Sequence, residues 1–375
     1  MRIGIDAHIL GKGKGGVERY VRHLVEGLPP VAREHEFVVF VNRRFAESVH
    51  DHENVRFVRL PFADPILERS LVLPLLARRH RLDALQVQRI APLATRSRLV
   101  VDVHDLVPLK DPENYRGIRN FLIRRLTPGS VRRAWRIVVP TEVVRREVLQ
   151  RFGMDERRVV AIPRGVDHQQ FCPADSGDRP PEVLRRLDIR GPYMLYVGAI
   201  EPRRNLEVVL RALARLRAGG LADVAFVMTG GVRSNAYARA LADLAANLGL
   251  TGSVVQTGYV DDADLVGLLR HARLVVAPSW GEGFNMPPLE AMACGTPVVC
   301  SDIEVHRELL AGSACFFDAA SDERLAEVMD RLWSDSAERA RLRKIGLERA
   351  SVFTWEKTAC QTAAMYRSLA DPSAA

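Results

Sequence analysis

Short β-branched runs alternate with helix-length segments along this chain, and the alternation stops once and starts again. In the first half, residues 1–5, 37–41, 55–60, 99–103 and 137–140 read as strands, with helices over 16–27 and 142–152. In the second half, residues 193–197, 224–229, 254–256, 274–277 and 297–300 read as strands, with helices over 206–218, 235–248, 263–271 and 288–294. Strands separated by helices pair in parallel, because a crossover that holds a helix returns the chain to the same end of the sheet. The stretch 171–190 breaks the pattern with CPADSGDRPPE, rich in residues that end regular structure. The expected fold is α/β: two Rossmann-like domains meeting at a cleft and divided between residues 172 and 173. Ligands of such sheets bind at the carboxyl ends of the strands. A length of 375 residues suits two domains of roughly 100–200 residues each.

The densest chemistry lies in SWGEGFNMPPLEAMACGTPVV, residues 279–299. Glu282 falls in a glycine-rich loop, and Glu290 in the first turn of the helix expected after it. Glycine and proline set the shape of such a loop through the backbone, and a helix start offers N–H groups to an anion. A diphosphate fits that environment, with one carboxylate accepting from sugar hydroxyls and the other from ribose hydroxyls. A glycine pair, Gly15 and Gly16, precedes the first helix in GKGKGGVERY and makes a second anion nest, with Lys12 and Lys14 adding charge. His104 follows an apolar run in VDVHDL, with Asp105 beside it as a candidate orienting group. Arg203 and Arg204 follow the strand at 193–197 in GAIEPRRN, and a guanidinium binds phosphate oxygens in pairs.

Together these pieces resemble retaining glycosyltransferase family 4, of the GT-B fold, and its bacterial mannosyltransferase-like members. The likeness runs through MRIGIDAHILGKGKGGVERYVRHL, VHDLVP, VPTEVVRREV, IPRGVDHQQF, YVGAIEPRRNL, GYVDDADLVGLLRHARLVVAPS and the GEGFNMPPLEAMACGTPVV segment, and ends in FTWEKTACQTAAMY. The resemblance implies that the last helix, within 355–375, returns to an N-terminal acceptor domain, leaving 173–354 as the nucleotide-sugar domain. It implies that Gly15 and Gly16 approach the donor diphosphate, that Arg203 and Arg204 neutralise it, and that His104 and Glu282 meet the donor sugar. It places Phe284, Asn285 and Met286 in the loop that faces the sugar, Glu290 at the ribose, and Tyr259 and Val260 at the base. Three positions depart from the family pattern: Arg204 stands for the usual Lys, Asn285 for a common Gly, and Arg164 for the frequent Asn of an IPNGVD-like turn.

The five cysteines (Cys172, Cys294, Cys300, Cys315 and Cys360) are odd in number and none pairs in C-x-x-C spacing. That excludes a disulfide framework and a zinc site, and a reducing compartment is expected. Asp262-Ala263-Asp264 falls at an expected helix start and reads as a cap rather than a metal site, so neither metal nor other cofactor is expected. GKGKGG matches neither the P-loop nor the dinucleotide fingerprint. A basic leader with a long apolar run is missing, and the most apolar patch, 71–77, is too short to span a bilayer. A cytoplasmic location follows as the expectation.

Residues 1–165 carry 31 Lys and Arg against 19 Asp and Glu, whereas residues 166–375 carry 23 against 27. The net charge of +8 thus arises in the first half and calls for an anionic partner. The stretch 116–136 interleaves seven arginines with Ile118, Phe121, Leu122, Ile123, Leu126 and Trp135, the composition either of a membrane-surface segment or of a solvated helix face with a core-facing stripe. No nucleic-acid-binding motif accompanies it. The expected activity is retaining, metal-independent transfer of a hexosyl group, mannosyl first, from a nucleoside-diphosphate sugar to a hydroxyl of a lipid-linked saccharide in polysaccharide or O-antigen assembly. A polyprenyl-linked acceptor would meet the enzyme on the inner membrane face. A soluble sugar or sugar-phosphate acceptor is the alternative, and a sugar-nucleotide binding protein without transfer activity the alternative of another class.

Overall fold

The computed structural model describes residues 1–370 apart from 14, 44, 46–51, 62–70, 111–116, 175–180 and 222–223. Lys14 and Arg116 therefore lie outside the described residues. The chain divides into two units, Met1–Gly165 with Thr354–Ala375, and Val166–Phe353. The division precedes 172/173 because Val166 donates its N–H to the Phe353 carbonyl and Phe171 is buried, so these residues pack with the second unit.

The first unit is built on seven parallel strands: β1 (Arg2–Asp6), β2 (Glu36–Val41), β3 (Val55–Arg59), β4 (Ala84–Gln88), β5 (Arg98–Asp102), β6 (Arg136–Val139) and β7 (Val159–Ala161). Their order is β3-β2-β1-β4-β5-β6-β7. The helices used below are α1 (Gly16–Val31), α2 (Ile118–Arg133) and α3 (Glu142–Phe152). α1 runs past residue 27 because Leu24, Val25 and Leu28 extend the buried stripe begun by Tyr20 and Val21, at helical spacing. α3 begins where the Thr141 side chain accepts from the Val144 N–H and ends at Gly153 in the left-handed region. The C-terminal helix, Trp355–Ala370, shares a core with β1 and α1 through Ala363, Met365, Tyr366 and Leu369.

That helix starts hard against Gly165. A β-carbon there would lie 2.1 Å from the Trp355 nitrogen and 2.4 Å from the Thr354 carbonyl carbon. Both are backbone atoms, so neither can swing aside. Gly165→Ala is expected to cost about 1–3 kcal/mol by overpacking and to raise hydrogen exchange at the start of the C-terminal helix. Unchanged exchange there would show that the backbone adjusts freely.

The second unit has six parallel strands: β8 (Tyr193–Val197), β9 (Ala225–Thr229), β10 (Val254–Gly258), β11 (Leu274–Ala277), β12 (Val298–Ser301) and β13 (Cys315–Phe317), ordered β10-β9-β8-β11-β12-β13. Its helices include α4 (Leu206–Ala218), α5 (Asp262–His271), α6 (Met286–Ala293) and α7 (Glu304–Leu310). In both sheets the strand order reverses beside the first strand, at β1/β4 and at β8/β11, which is where α/β sheets open to ligands. Two local readings are corrected. The cap of α5 is Asp261, which accepts from the Asp264 N–H at 2.8 Å, while Asp264 pairs with Arg186. Glu290 is the fifth residue of α6 rather than a first-turn residue, because the helix already starts at Met286.

Candidate functional site

The switch point of the second sheet carries a compact ionic cluster. β8 ends at Val197, and a short 3-10 turn, Pro202–Arg204, brings both arginines to the carboxyl edge. β11 ends at Ala277, and the loop after it brings Ser279 and Glu282 to the same place. Arg203 donates to the Gly281 carbonyl at 2.9 Å and to Glu201 at 3.0 Å, and it also donates to Glu282. Arg204 donates to the second oxygen of Glu282, which also accepts from the Ser279 hydroxyl at 2.7 Å. Burial acts to raise the Glu282 pKa, but Arg203, Arg204 and Ser279 outweigh it and hold the carboxyl below its ordinary value. Arg204 Nε is buried without a hydrogen bond, 3.8 Å from Glu201.

Asn285 connects this cluster to a histidine that the sequence did not single out. Its backbone is left-handed (φ 65°), a conformation that asparagine tolerates where glycine is common. Its amide donates to His306 Nε2 at 2.9 Å, and its carbonyl oxygen lies 3.5 Å from Arg204. His306 in turn donates from Nδ1 to the Ser301 carbonyl at 2.8 Å, which leaves Nε2 as the acceptor. Asn285 is thus held between α7 and Arg204.

The other expected residues of this unit have different surroundings. The Phe284 side chain is buried edge-on to Phe353, and Met286 is buried at the start of α6. Glu290 is buried within α6. The cluster includes neither Tyr259, exposed after the edge strand β10, nor Val260. The start of α6 is a poorer anion nest than expected, because Pro287 and Pro288 occupy its first turn and have no N–H to offer.

In the first unit Gly15 caps α1 with φ 63°, and both Gly15 and Gly16 are exposed. His104 follows β5 and is buried. Asp105 is turned to Arg89 at 3.1 Å and to the Val107 N–H, so it is not the group that holds His104; consecutive side chains of an extended segment point to opposite sides. Arg164 holds it instead, with Nη2 2.6 Å from His104 Nδ1.

Between β1 and β5 lies a buried polar network that the sequence reading missed. β4 pairs with β5 in the register Gln86 to Val100 and Gln88 to Asp102, which puts both glutamines on the Asp102 face. Gln86 and Gln88 each donate to Asp102 at 2.8 Å, and the Tyr20 hydroxyl donates to it at 3.0 Å. Tyr366 of the C-terminal helix donates to the Gln86 carbonyl oxygen. On β1, Asp6 accepts from His8 at 2.6 Å. The legible signal was a polar residue closing a strand: Asp6, Gln88 and Asp102 are each the last residue of theirs.

Residues 179–349 match the family model described as glycosyl transferases group 1, and residues 14–170 match the one described as glycosyltransferase family 4. A D-inositol 3-phosphate glycosyltransferase of Salinispora tropica is 36% identical over 69% of this chain and 57% of its own length. The serotype-specific mannosyltransferase WbdA of Escherichia coli is 30% identical over 68% of this chain and 32% of its own length. The chain thus spans about a third of one of these two relatives and under three fifths of the other. The O-antigen chain mannosyltransferase B of Escherichia coli is 29% identical over 72% of this chain and 71% of its own length. Among solved structures, sucrose-phosphate synthase from Thermosynechococcus elongatus superposes with a TM-score of 0.77 at 21% identity, covering 98% of this chain and 99% of that one. Anabaena HepE in complex with UDP and glucose gives 0.76 at 18% identity, covering 98% and 100%. The fold is that of these proteins, α/β with two parallel-sheet Rossmann-like domains. The chain belongs to the group 1 glycosyltransferases, with a family 4 segment as its N-terminal half.

Proposed function

We propose that this glycosyltransferase moves a hexosyl group, mannosyl first, from a nucleoside-diphosphate sugar to a hydroxyl of a lipid-linked saccharide, with retention and without a metal. The observation that carries this reading is the Arg203–Arg204–Glu282 cluster at the β8/β11 switch point. In the proposed reaction the bond between the anomeric carbon and the diphosphate oxygen breaks while the acceptor oxygen bonds on the same face. The departing phosphate oxygen takes the acceptor proton. Two guanidiniums then stabilise charge that grows on the leaving group, the kind of fixed electrostatics that lowers a barrier most. Glu282 meets the sugar and keeps both guanidiniums in place until the diphosphate arrives.

The mannosyl part draws support from two relatives named as mannosyltransferases, one of them of the O-antigen chain. Hydrolysis of UDP-, GDP- and dTDP-sugars, followed by NMR, is the direct test. One GDP-sugar is expected to be cleaved in the presence of EDTA, with the product anomer first formed matching the donor. Strict dependence on added Mg²⁺ or Mn²⁺, or an inverted product, would overturn the mechanism.

A soluble sugar-phosphate acceptor is the second reading, favoured by the relative named for D-inositol 3-phosphate. Membrane binding separates the two. On α2, Ile118, Phe121, Arg125 and Arg132 are exposed and recur at helical spacing on one side. No helix among the described residues is long and apolar enough to cross a membrane, so contact would be peripheral. Each arginine at an anionic surface contributes about 1 kcal/mol. Arg125→Gln with Arg132→Gln is expected to weaken sedimentation with anionic vesicles at low salt by one to two orders of magnitude. Arg133 is left in place because it donates to the Pro92 carbonyl at 2.7 Å and also to that of Leu93. Absence of vesicle binding by the unaltered protein at low salt would favour the soluble acceptor.

A further inference from the structure

Arg164 arrives on the loop after β7 and is buried, 7% exposed, beside His104 at 8%. Its guanidinium lies 5.1 Å over the Tyr20 ring, and Tyr20 meets the His104 ring edge-on at 5.8 Å. The pair is therefore packed on a third side chain, and the 2.6 Å contact from Arg164 Nη2 to His104 Nδ1 is held from two directions. A guanidinium has five N–H donors and no acceptor. The contact thus needs a lone pair on Nδ1, and the single proton of the neutral ring sits on Nε2. Nε2 is itself buried, with no hydrogen-bond partner in the protein.

We propose that Arg164 is a positioning residue that fixes His104 as the neutral Nε2–H tautomer, so that His104 donates a hydrogen bond to a ligand oxygen and does not serve as a base. The ligand atom is a hydroxyl or phosphate oxygen, since either accepts from an N–H. The proposal rests on His104 belonging to the ligand site, and it adds the direction of the hydrogen bond and the residue that sets it.

The charged and titratable groups around the ring agree. Arg164 comes from the loop after β7, Arg89 from the loop after β4, Tyr20 from α1, and Asp102 and Asp105 from the segment of His104 itself. Burial first, then Arg164 and Arg89, hold His104 well below the ordinary imidazole value against the opposing pull of Asp105. Asp105 is engaged by Arg89, and Asp102 by Tyr20, Gln86 and Gln88, so neither carboxylate is hydrogen-bonded to the ring.

The test is NMR of the full chain labelled with ¹⁵N in its imidazoles, with His104→Gln identifying the signal among ten histidines. The two ring-nitrogen shifts report the tautomer directly. The expected result is an Nε2–H pattern that does not titrate between about pH 5 and 8. Arg164→Asn, too short to reach Nδ1, is expected to give a mixture of the two tautomers. Arg164→Met serves the same purpose if the asparagine variant does not fold. An Nδ1–H pattern in the unaltered protein, or a variant spectrum identical to it, overturns the proposal. These readouts need no turnover, so they succeed or fail apart from whether His104 meets a ligand.

Discussion

Replacing Glu282 with alanine is expected to destabilise the second unit by about 3–5 kcal/mol, the cost of leaving buried charges without their partner. The side chains of Arg203 and Arg204 are only 11% and 14% exposed, and Glu282 is 5% exposed. Without Glu282 the carboxylate that the two guanidiniums still share is Glu201, which also lies 3.7 Å from Arg233. Three arginines around one carboxylate repel each other, and the loop after β11 loses its anchor. Hydrogen exchange reads the two units separately, and peptides covering 279–293 are expected to lose protection while those of β1 and β5 keep theirs. Donor turnover is expected to fall with them. Added nucleoside diphosphate should restore part of the protection, because its phosphates supply the missing counter-charge. Equal protection in the alanine variant and the unaltered protein would show that the cluster is not held together by this carboxylate.

The second large effect is a pH dependence centred on Asp102. Burial raises its pKa from 3.8 to about 6, although hydrogen bonds from Gln86, Tyr20 and Gln88 and the Arg164 charge oppose the rise. The folded state thus holds this proton more tightly than the unfolded chain does. This group's contribution is most favourable below about pH 4 and declines as pH rises to about 6; above that it leaves a penalty of roughly 3 kcal/mol. Asp102→Asn removes the charge. The new amide has a partner in reach, because Gln88 Oε1 is buried without a hydrogen bond and becomes an acceptor when its amide turns over. The variant is expected to melt above the unaltered protein at neutral pH, with the gap closing toward about pH 4. Melting curves across that range check it, and an offset that is the same at every pH would show that the carboxyl's titration is not the source.

The parts legible in the sequence were those written locally. Tyr193–Val197, Leu274–Ala277, Leu206–Ala218 and Glu142–Phe152 match their expected bounds. Strands covered on both faces read as continuous apolar runs, and these helices carry their own start and stop signals. β4 went unread because ALQVQ is not a continuous apolar run: both glutamines are buried, with their amides on Asp102 and the Gln86 carbonyl oxygen accepting from Tyr366. β7 and β13 have three residues each, too few to show a period. The same division holds for the sites. Arg203, Arg204 and Glu282 belong to recognisable local segments, and the structure brings them together. The partners of His104 and Gln86 lie 60 and 280 residues away, and only the closed fold reveals Arg164 and Tyr366 as theirs.

The first unit is assembled from both sides of the second, and this sets a timetable for synthesis. Ala363, Met365, Tyr366 and Leu369 complete the core around β1 and α1. They leave the ribosome only after Val166–Phe353, a contiguous stretch that holds all it needs to close. At translation rates of roughly 5–20 residues per second, the nascent first unit waits on the order of 10–40 s with the core around α1 incomplete. The part of the chain made first is therefore finished last.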